Sequence, residues 1–334
     1  MAQLRSAVLP IDRAWRERRR DSGQDIAEIY NRAGAGYAAY ADGDLTVGDS
    51  GQLFTFDGPH AYADRCLWEA LDSKLVALRA AGRGAIRILD AGCGPGTWLR
   101  RLVTRSLALG FSRIDARGFD IAEAQIEWAR AHSRDLADKP EVSLTFEVAD
   151  LCDGLPEKDD SVDLTVCLYS VLSHLEVIRL PWVAQELSRV TRGFFVATVR
   201  PVGSPPSVFV DTVENAQNFE HDNLHDRCKV ELYDGRCFTM SIHLFSADEL
   251  RGYFAGDFEI ETLRGLDLFH SRFALDPRWN PPIPALTGEQ FDGELTRIEE
   301  AFAASPNFIE HAAHLLLVAH RPPERRSPPE RRPL

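Results

Sequence analysis

The chain is short of cysteine, of long apolar runs and of positive charge, and each shortage closes a class of function. Its six cysteines, at 66, 93, 152, 167, 228 and 237, form no Cys-x-x-Cys pair and no cluster with histidine. That pattern argues for reduced thiols rather than a disulfide frame or a zinc centre, and no metal is expected. No apolar stretch approaches the roughly 20 residues that a membrane-spanning helix needs. The first 20 residues are too polar and too rich in arginine for a secretory leader. A cytoplasmic protein without a membrane partner is the expectation. Acidic residues outnumber basic ones, 51 to 38, for a formal net charge of −13. Such a surface repels nucleic-acid backbones and anionic lipids alike, so nucleic acid is not expected as a partner.

What the sequence does have is a strand that runs into a turn of bare main chain. Ile86 to Asp90 is a short apolar run, and Gly92, Gly94 and Gly96 follow it directly, with a helical pattern from Thr97 to about Ala108. Glycines at such a bend let the backbone turn sharply and let a ligand lie against it. A second apolar run, 113–119, ends in Asp120, and a third, 142–148, ends at Ala149-Asp150-Leu151. A fourth, 162–168, leads into Tyr169-Ser170-Val171-Leu172-Ser173-His174, and a fifth spans 193–199. Helical patterns near 97–108, 122–137 and 175–191 alternate with these strands. The alternation predicts a parallel sheet with helices on both faces and right-handed crossovers.

Leu-Asp-Ala-Gly-Cys-Gly-Pro-Gly-Thr at 89–97, Gly-Phe-Asp at 118–120, Ala-Asp at 149–150 and Asp-Ser-Val-Asp-Leu at 160–164 together resemble the class I S-adenosylmethionine-dependent methyltransferase superfamily. A nicotinamide-binding Rossmann domain is the rival; its third motif glycine would fall at position 97, which is Thr97 here. The resemblance implies an α/β, Rossmann-like fold with a seven-stranded sheet in the order 3-2-1-4-5-7-6, the last strand antiparallel. Phe258 to Leu263 and Ala312 to His320 are the candidates for its last two strands. It also implies that Asp90, Gly92, Gly94 and Gly96 surround the amino-acid end and sugar of S-adenosylmethionine. By the same match, Asp120 holds the ribose, Ile121 flanks the adenine, and Asp150 and Leu151 meet the adenine edge. Leu168, at the end of the fourth strand, and Tyr37 complete the set. S-adenosylmethionine is thus the expected co-substrate.

Candidate catalytic residues are Tyr169, His174 and Tyr30. His174 either takes a proton from a nucleophile, or caps the following helix or bonds to main chain. Tyr169 either orients substrate at the sulfonium or packs in the pocket. Tyr30, Tyr37 and Tyr40 share one helical face, as a core stripe or as an aromatic roof over the site. Arg200 either binds a substrate carboxylate or makes a surface ion pair.

The expected organisation is a flexible arm (1–22), a helical cap segment (23–82) with a strong amphipathic helix over 60–81, and the cofactor-binding core (83–200). A lid insertion (201–245), the C-terminal part of the core (246–320) and a disordered Pro/Arg-rich tail (321–334) complete it. A helix is expected from about 288 to 304, capped by Thr287. The leading functional expectation is a methyltransferase acting on a small molecule in secondary metabolism. One alternative is a cyclase that turns the cofactor's own aminocarboxypropyl arm into azetidine-2-carboxylate and releases methylthioadenosine. Another is a non-catalytic cofactor-binding partner protein. The partner is then a small molecule, or S-adenosylmethionine alone; the oligomeric state is left open.

Overall fold

A computed structural model describes residues 26–34, 37, 54–56, 61–204, 216–270 and 288–322. The arm at 1–22, Tyr40, the Thr287 cap and nearly all of the C-terminal tail lie outside them. Helix α1 covers residues 26–34. Helix α2 (Ala61–Ala80) then precedes β1 (Ala85–Ala91), α3 (Thr97–Ala108), β2 (Arg113–Asp120), α4 (Glu123–His132), the short α5 (Arg134–Ala137) and β3 (Val142–Val148). They are followed by β4 (Val162–Cys167), α6 (Leu180–Val190), β5 (Thr191–Val199), β6 (Ala216–Asp222), β7 (Arg227–Leu232) and β8 (Cys237–Ser241). Helix α7 (Ala247–Phe254), β9 (Glu259–Leu266), α8 (Gly288–Phe302) and β10 (His314–His320) close the order.

Seven strands form one sheet in the order β3-β2-β1-β4-β5-β10-β9, with β10 antiparallel to both neighbours. That is the expected 3-2-1-4-5-7-6 arrangement. Alternation along each strand splits the core in two. Ile86 and Ile88 of β1, Leu164 and Val166 of β4 and Leu316 of β10 face α2, α3 and α4. Leu89, Cys167, Phe195 and Leu317 face α6 and α7. Period-2 strands buried on both faces are what helices on either side demand. The helices supply matching stripes: Leu67, Leu71, Leu75 and Leu78 in α2, and Leu180, Val183, Ala184 and Leu187 in α6.

Two expected helices are shorter than their patterns. The one expected over 122–137 breaks at Ser133, which is buried and leaves helical geometry with φ −115° and ψ 7°. The one expected over 175–191 begins only at Leu180, because Leu175 and Glu176 are extended and Pro181 lies in the first turn. The stretch 201–245, expected as a lid without assigned elements, contains a three-stranded antiparallel sheet β6-β7-β8. Cys228, Val230, Met240 and Ile242 pack there with Ile29 of α1 in a small core of their own. The N-terminal helix and this sheet therefore form one packed unit. Pro201 and Phe245 pair across its base, so the chain leaves and re-enters the main sheet at adjacent points.

Candidate functional site

The crevice lies at the carboxyl ends of β1, β2 and β4, where crossovers leave backbone exposed. Gly92, Gly94 and Gly96 all have positive φ, at 77°, 51° and 77°. A Cβ at Gly92 would sit 2.3 Å from a methyl of Val171, and one at Gly96 2.8 Å from the Phe146 ring. At Gly94 the nearest atom is Cε1 of Tyr37, at 3.7 Å, so this glycine keeps bare backbone open toward Tyr37. Gly96 then forms the N-cap of α3.

Two carboxylates flank this turn. Asp90 is buried at the end of β1, and its Oδ2 has no hydrogen-bond partner among the described residues. Burial, helped by the negative charge of Asp120, pushes its carboxyl up to about 8. Asp120 accepts the Gly94 N–H at 2.9 Å and the Ala122 N–H at 2.9 Å, which fixes the glycine turn to the tip of β2. Burial raises this group as well, against the lowering effect of those N–H donors. The crevice thus holds two acids that burial makes reluctant to ionise, Asp90 the more so for the charge of Asp120, and one oxygen with no partner among the described residues. A cationic ligand satisfies all three conditions. S-adenosylmethionine carries an ammonium and a sulfonium, so these residues fit it.

The remaining expected residues fall on several sides of the crevice. Ile121 follows Asp120 half-buried, and Leu168 and Leu151 are buried. Asp150 accepts the Cys152 N–H at 2.8 Å and so caps the short turn Leu151–Asp153. Tyr37 meets Tyr30 edge-on, with ring centres 5.2 Å apart. The Tyr30 hydroxyl lies 3.1 Å from Nε2 of His174, whose Nδ1 lies 3.2 Å from the Ser241 carbonyl of β8. A carbonyl only accepts, so Nδ1 carries the proton and Nε2 accepts from Tyr30. Burial lowers His174 to about 4, keeping the ring neutral. His174 is therefore tied to the cap: of its expected structural roles, capping the following helix or bonding to main chain, the Ser241 carbonyl contact supplies the second. Burial likewise raises the Tyr30 phenol, with Asp120 adding to the rise.

Tyr169 and Ser170 leave β4 with positive φ, 51° and 72°, a conformation costly for non-glycine residues. Thr198 of β5 holds them there: its Oγ1 accepts the Tyr169 N–H at 2.5 Å and its carbonyl the Ser170 N–H at 3.1 Å. The Tyr169 ring lies between Trp98 and His314, and its hydroxyl donates to Asp64 of α2. Arg200 is buried, not at the surface, and burial lowers it; its guanidinium approaches Ser204 at 3.4 Å. Sequence reasoning missed Thr198, Asp64 and Gln125. Gln125 donates to the carbonyls of Tyr30 and Gly34, and the Asn31 side chain accepts the Ala124 N–H, so α4 carries α1 as its roof. No local pattern announces such contacts, which join residues 29 to 105 positions apart.

Residues 88–193 match the family model described as a methyltransferase domain. No curated protein matches the chain's sequence. Among solved structures, the chain is similar to magnesium protoporphyrin IX methyltransferase from Synechocystis PCC 6803 with bound S-adenosylhomocysteine. Identity is 15%, covering 89% of this chain and 98% of that one, with a TM-score of 0.47. A S-adenosylmethionine-dependent methyltransferase from Mesorhizobium loti shows 20% identity over 79% of this chain and 100% of that one, TM-score 0.44. Geranyl diphosphate C-methyltransferase from Streptomyces coelicolor A3(2) shows 19% over 71% of each chain, TM-score 0.40. With the family match laid over a sheet of order 3-2-1-4-5-7-6 and a glycine turn pinned by Asp120, residues 88–193 are a domain of the class I S-adenosylmethionine-dependent methyltransferase superfamily.

Proposed function

We propose that the protein transfers the methyl group of S-adenosylmethionine to a small-molecule acceptor. The observation that carries this reading is the buried oxygen of Asp90, unpartnered among the described residues, near Asp120, which holds the Gly94 N–H. The co-substrate supplies an electrophilic methyl on a sulfonium, which needs alignment and dryness more than it needs a strong base. Asp90 receives its ammonium, Asp120 and the glycine turn its sugar, and Asp150, Leu151 and Ile121 its adenine. Tyr30 and Tyr37 close over the crevice and exclude water. His174, neutral and doubly hydrogen-bonded, holds the Tyr30 hydroxyl in place and is a positioning residue rather than the base. Tyr169, braced by Thr198 and Asp64, presents its ring at the exit of β4 where the acceptor arrives.

The test is titration with S-adenosylhomocysteine followed by incubation with S-adenosylmethionine and acceptor pools. Micromolar binding and acceptor-dependent release of S-adenosylhomocysteine support the reading; no binding at millimolar ligand ends it. One observation favours the cyclase as a second reading. The buried Asp90 carboxylate, once ionised, has an oxygen with no partner among the described residues, and this oxygen faces the expected ammonium as the base that takes its proton. The freed amine would then attack the γ-carbon of the same arm, breaking the C–S bond to give azetidine-2-carboxylate and methylthioadenosine. Methylthioadenosine formed from S-adenosylmethionine alone would decide for it.

A further inference from the structure

His243 lies between β8 and α7, where the chain returns from the cap to the main sheet. Both nitrogens of its ring meet carboxylates: Nδ1 lies 2.9 Å from Oδ1 of Asp226, and Nε2 lies 2.9 Å from Oε1 of Glu249. The two acids belong to different parts of the molecule. Asp226 ends the turn between β6 and β7 of the cap, in left-handed geometry with φ 52°, and its carbonyl accepts the Ile242 N–H at 2.9 Å. Glu249 sits in the first turn of α7, which packs on the main sheet through Leu250 and Phe254. The His243 N–H donates to the Ser173 carbonyl at 2.7 Å, and the ring meets Phe245 edge-on with centres 4.6 Å apart. His243 thus joins the cap, the segment after β4 and α7 at one point.

Donors and acceptors there do not balance without an added proton. An ionised carboxylate only accepts, and a neutral imidazole has a single N–H, so one of the two contacts would set acceptor against acceptor. One extra proton turns both contacts into hydrogen bonds. The ring is by nature the most basic of the three groups, so it takes that proton and becomes a cation between two anions. Among the described residues, no lysine or arginine pairs with either carboxylate. Other titratable groups surround the three. On α7, Asp248 precedes Glu249, and the Tyr253 hydroxyl is hydrogen-bonded to Glu249. Glu310 accepts the Ala247 N–H at 2.7 Å. The cap adds the Asp222–His225 pair and His221, which burial holds toward its neutral form. The core adds Arg200, which approaches Ser204 at 3.4 Å, and the neutral His174.

We propose that Asp226, His243 and Glu249 form a proton-operated latch between cap and core, so that access to the crevice below depends on pH. With its extra proton the latch holds the cap down, and with the cap α1, whose Ile29 packs in the cap's own core and whose Tyr30 reaches His174. Loss of that proton as pH rises breaks one contact and loosens the cap. The closed state binds the extra proton and the open one releases it, so through this latch acid favours closure and base favours opening. The inference concerns the cap and does not rest on the methyl-transfer reading.

The test is amide hydrogen exchange of the full chain without ligand at about pH 6 and about pH 8.5, on either side of ordinary histidine titration. Each rate is divided by its intrinsic value at that pH. In wild type, protection of α1, β7 and β8 is expected to fall about fivefold or more at the higher pH relative to β1 and β2, which report any change in global stability. Glu249→Gln brings an N–H of its own to the neutral ring while Nδ1–H still donates to Asp226, so its cap is expected to stay protected at both values. His243→Ala is expected to leave the cap loose at both, with circular dichroism checking that it folds; if it does not fold, Glu249→Gln decides. Cap protection in wild type that does not change with pH, or the same pH response in wild type and Glu249→Gln, would overturn the proposal.

Discussion

At the scale of single residues, the glycine turn separates space from exposure. Gly92→Ala and Gly96→Ala combine positive φ with contacts of 2.3 and 2.8 Å, so each should cost about 3 kcal/mol or more and shift thermal unfolding strongly. Gly94→Ala has room, 3.7 Å to Tyr37, and should cost only the backbone strain of about 1–2 kcal/mol. Its main effect should be on affinity for S-adenosylhomocysteine, measured by calorimetry. Asp90, raised to about 8, should ionise when an ammonium arrives. Calorimetry near pH 7 in buffers of different ionisation enthalpy should show proton release on cofactor binding, absent in Asp90→Asn. The two shifted groups act oppositely on stability. Asp90 holds its proton in the folded state, so its contribution is full below about 4 and is lost as pH rises to about 8. His174 sheds its proton in the folded state, so its contribution is full above about 6.5 and is lost as pH falls to about 4. Unfolding of wild type and His174→Gln between pH 7 and 4 should diverge at the high end and converge at the low end.

At the scale of elements, strands and most helices were legible because burial imposes a period. Leu99, Leu102, Val103 and Ser106 mark α3 at helical spacing, and the structure gives it the expected bounds. The insertion carried signals that were passed over. Cys228 and Val230 are buried while Arg227 and Lys229 are exposed, and Asp234-Gly235 sits between β7 and β8 with Gly235 at φ 84°. An alternating run closed by Asp-Gly is a hairpin signature. The break at Ser133 had no such mark, since Trp128, Ala129 and Leu136 keep the pattern apolar across it. The seat of α1 invites a direct test. Gln125→Ala removes two hydrogen bonds to the carbonyls of Tyr30 and Gly34. Limited proteolysis should cut the N-terminal segment sooner, and cofactor affinity should fall by about tenfold, while global unfolding moves little. Added S-adenosylhomocysteine should restore protection in wild type.

At the scale of the whole molecule, the main sheet divides two apolar layers, and α2 seals one of them. Leu71 of α2 is fully buried, so Leu71→Ala should cost about 2–5 kcal/mol in chemical denaturation and should not alter cofactor affinity per folded molecule. Strand order is what the family resemblance implies; the sequence by itself determined the alternating strands and helices of the core, the glycine turn and the acids at its strand ends. Each is written in a contiguous stretch, as a period, a glycine spacing or a strand-end carboxylate, and local sterics and burial enforce them. Only the tertiary structure decided that Tyr30 is bonded to His174, that α1 rests on Gln125, and that Tyr169 is braced by Asp64 and Thr198. Those relations join side chains remote in sequence, and no repeat along a chain encodes which distant donors will meet, because the meeting is fixed by how layers pack.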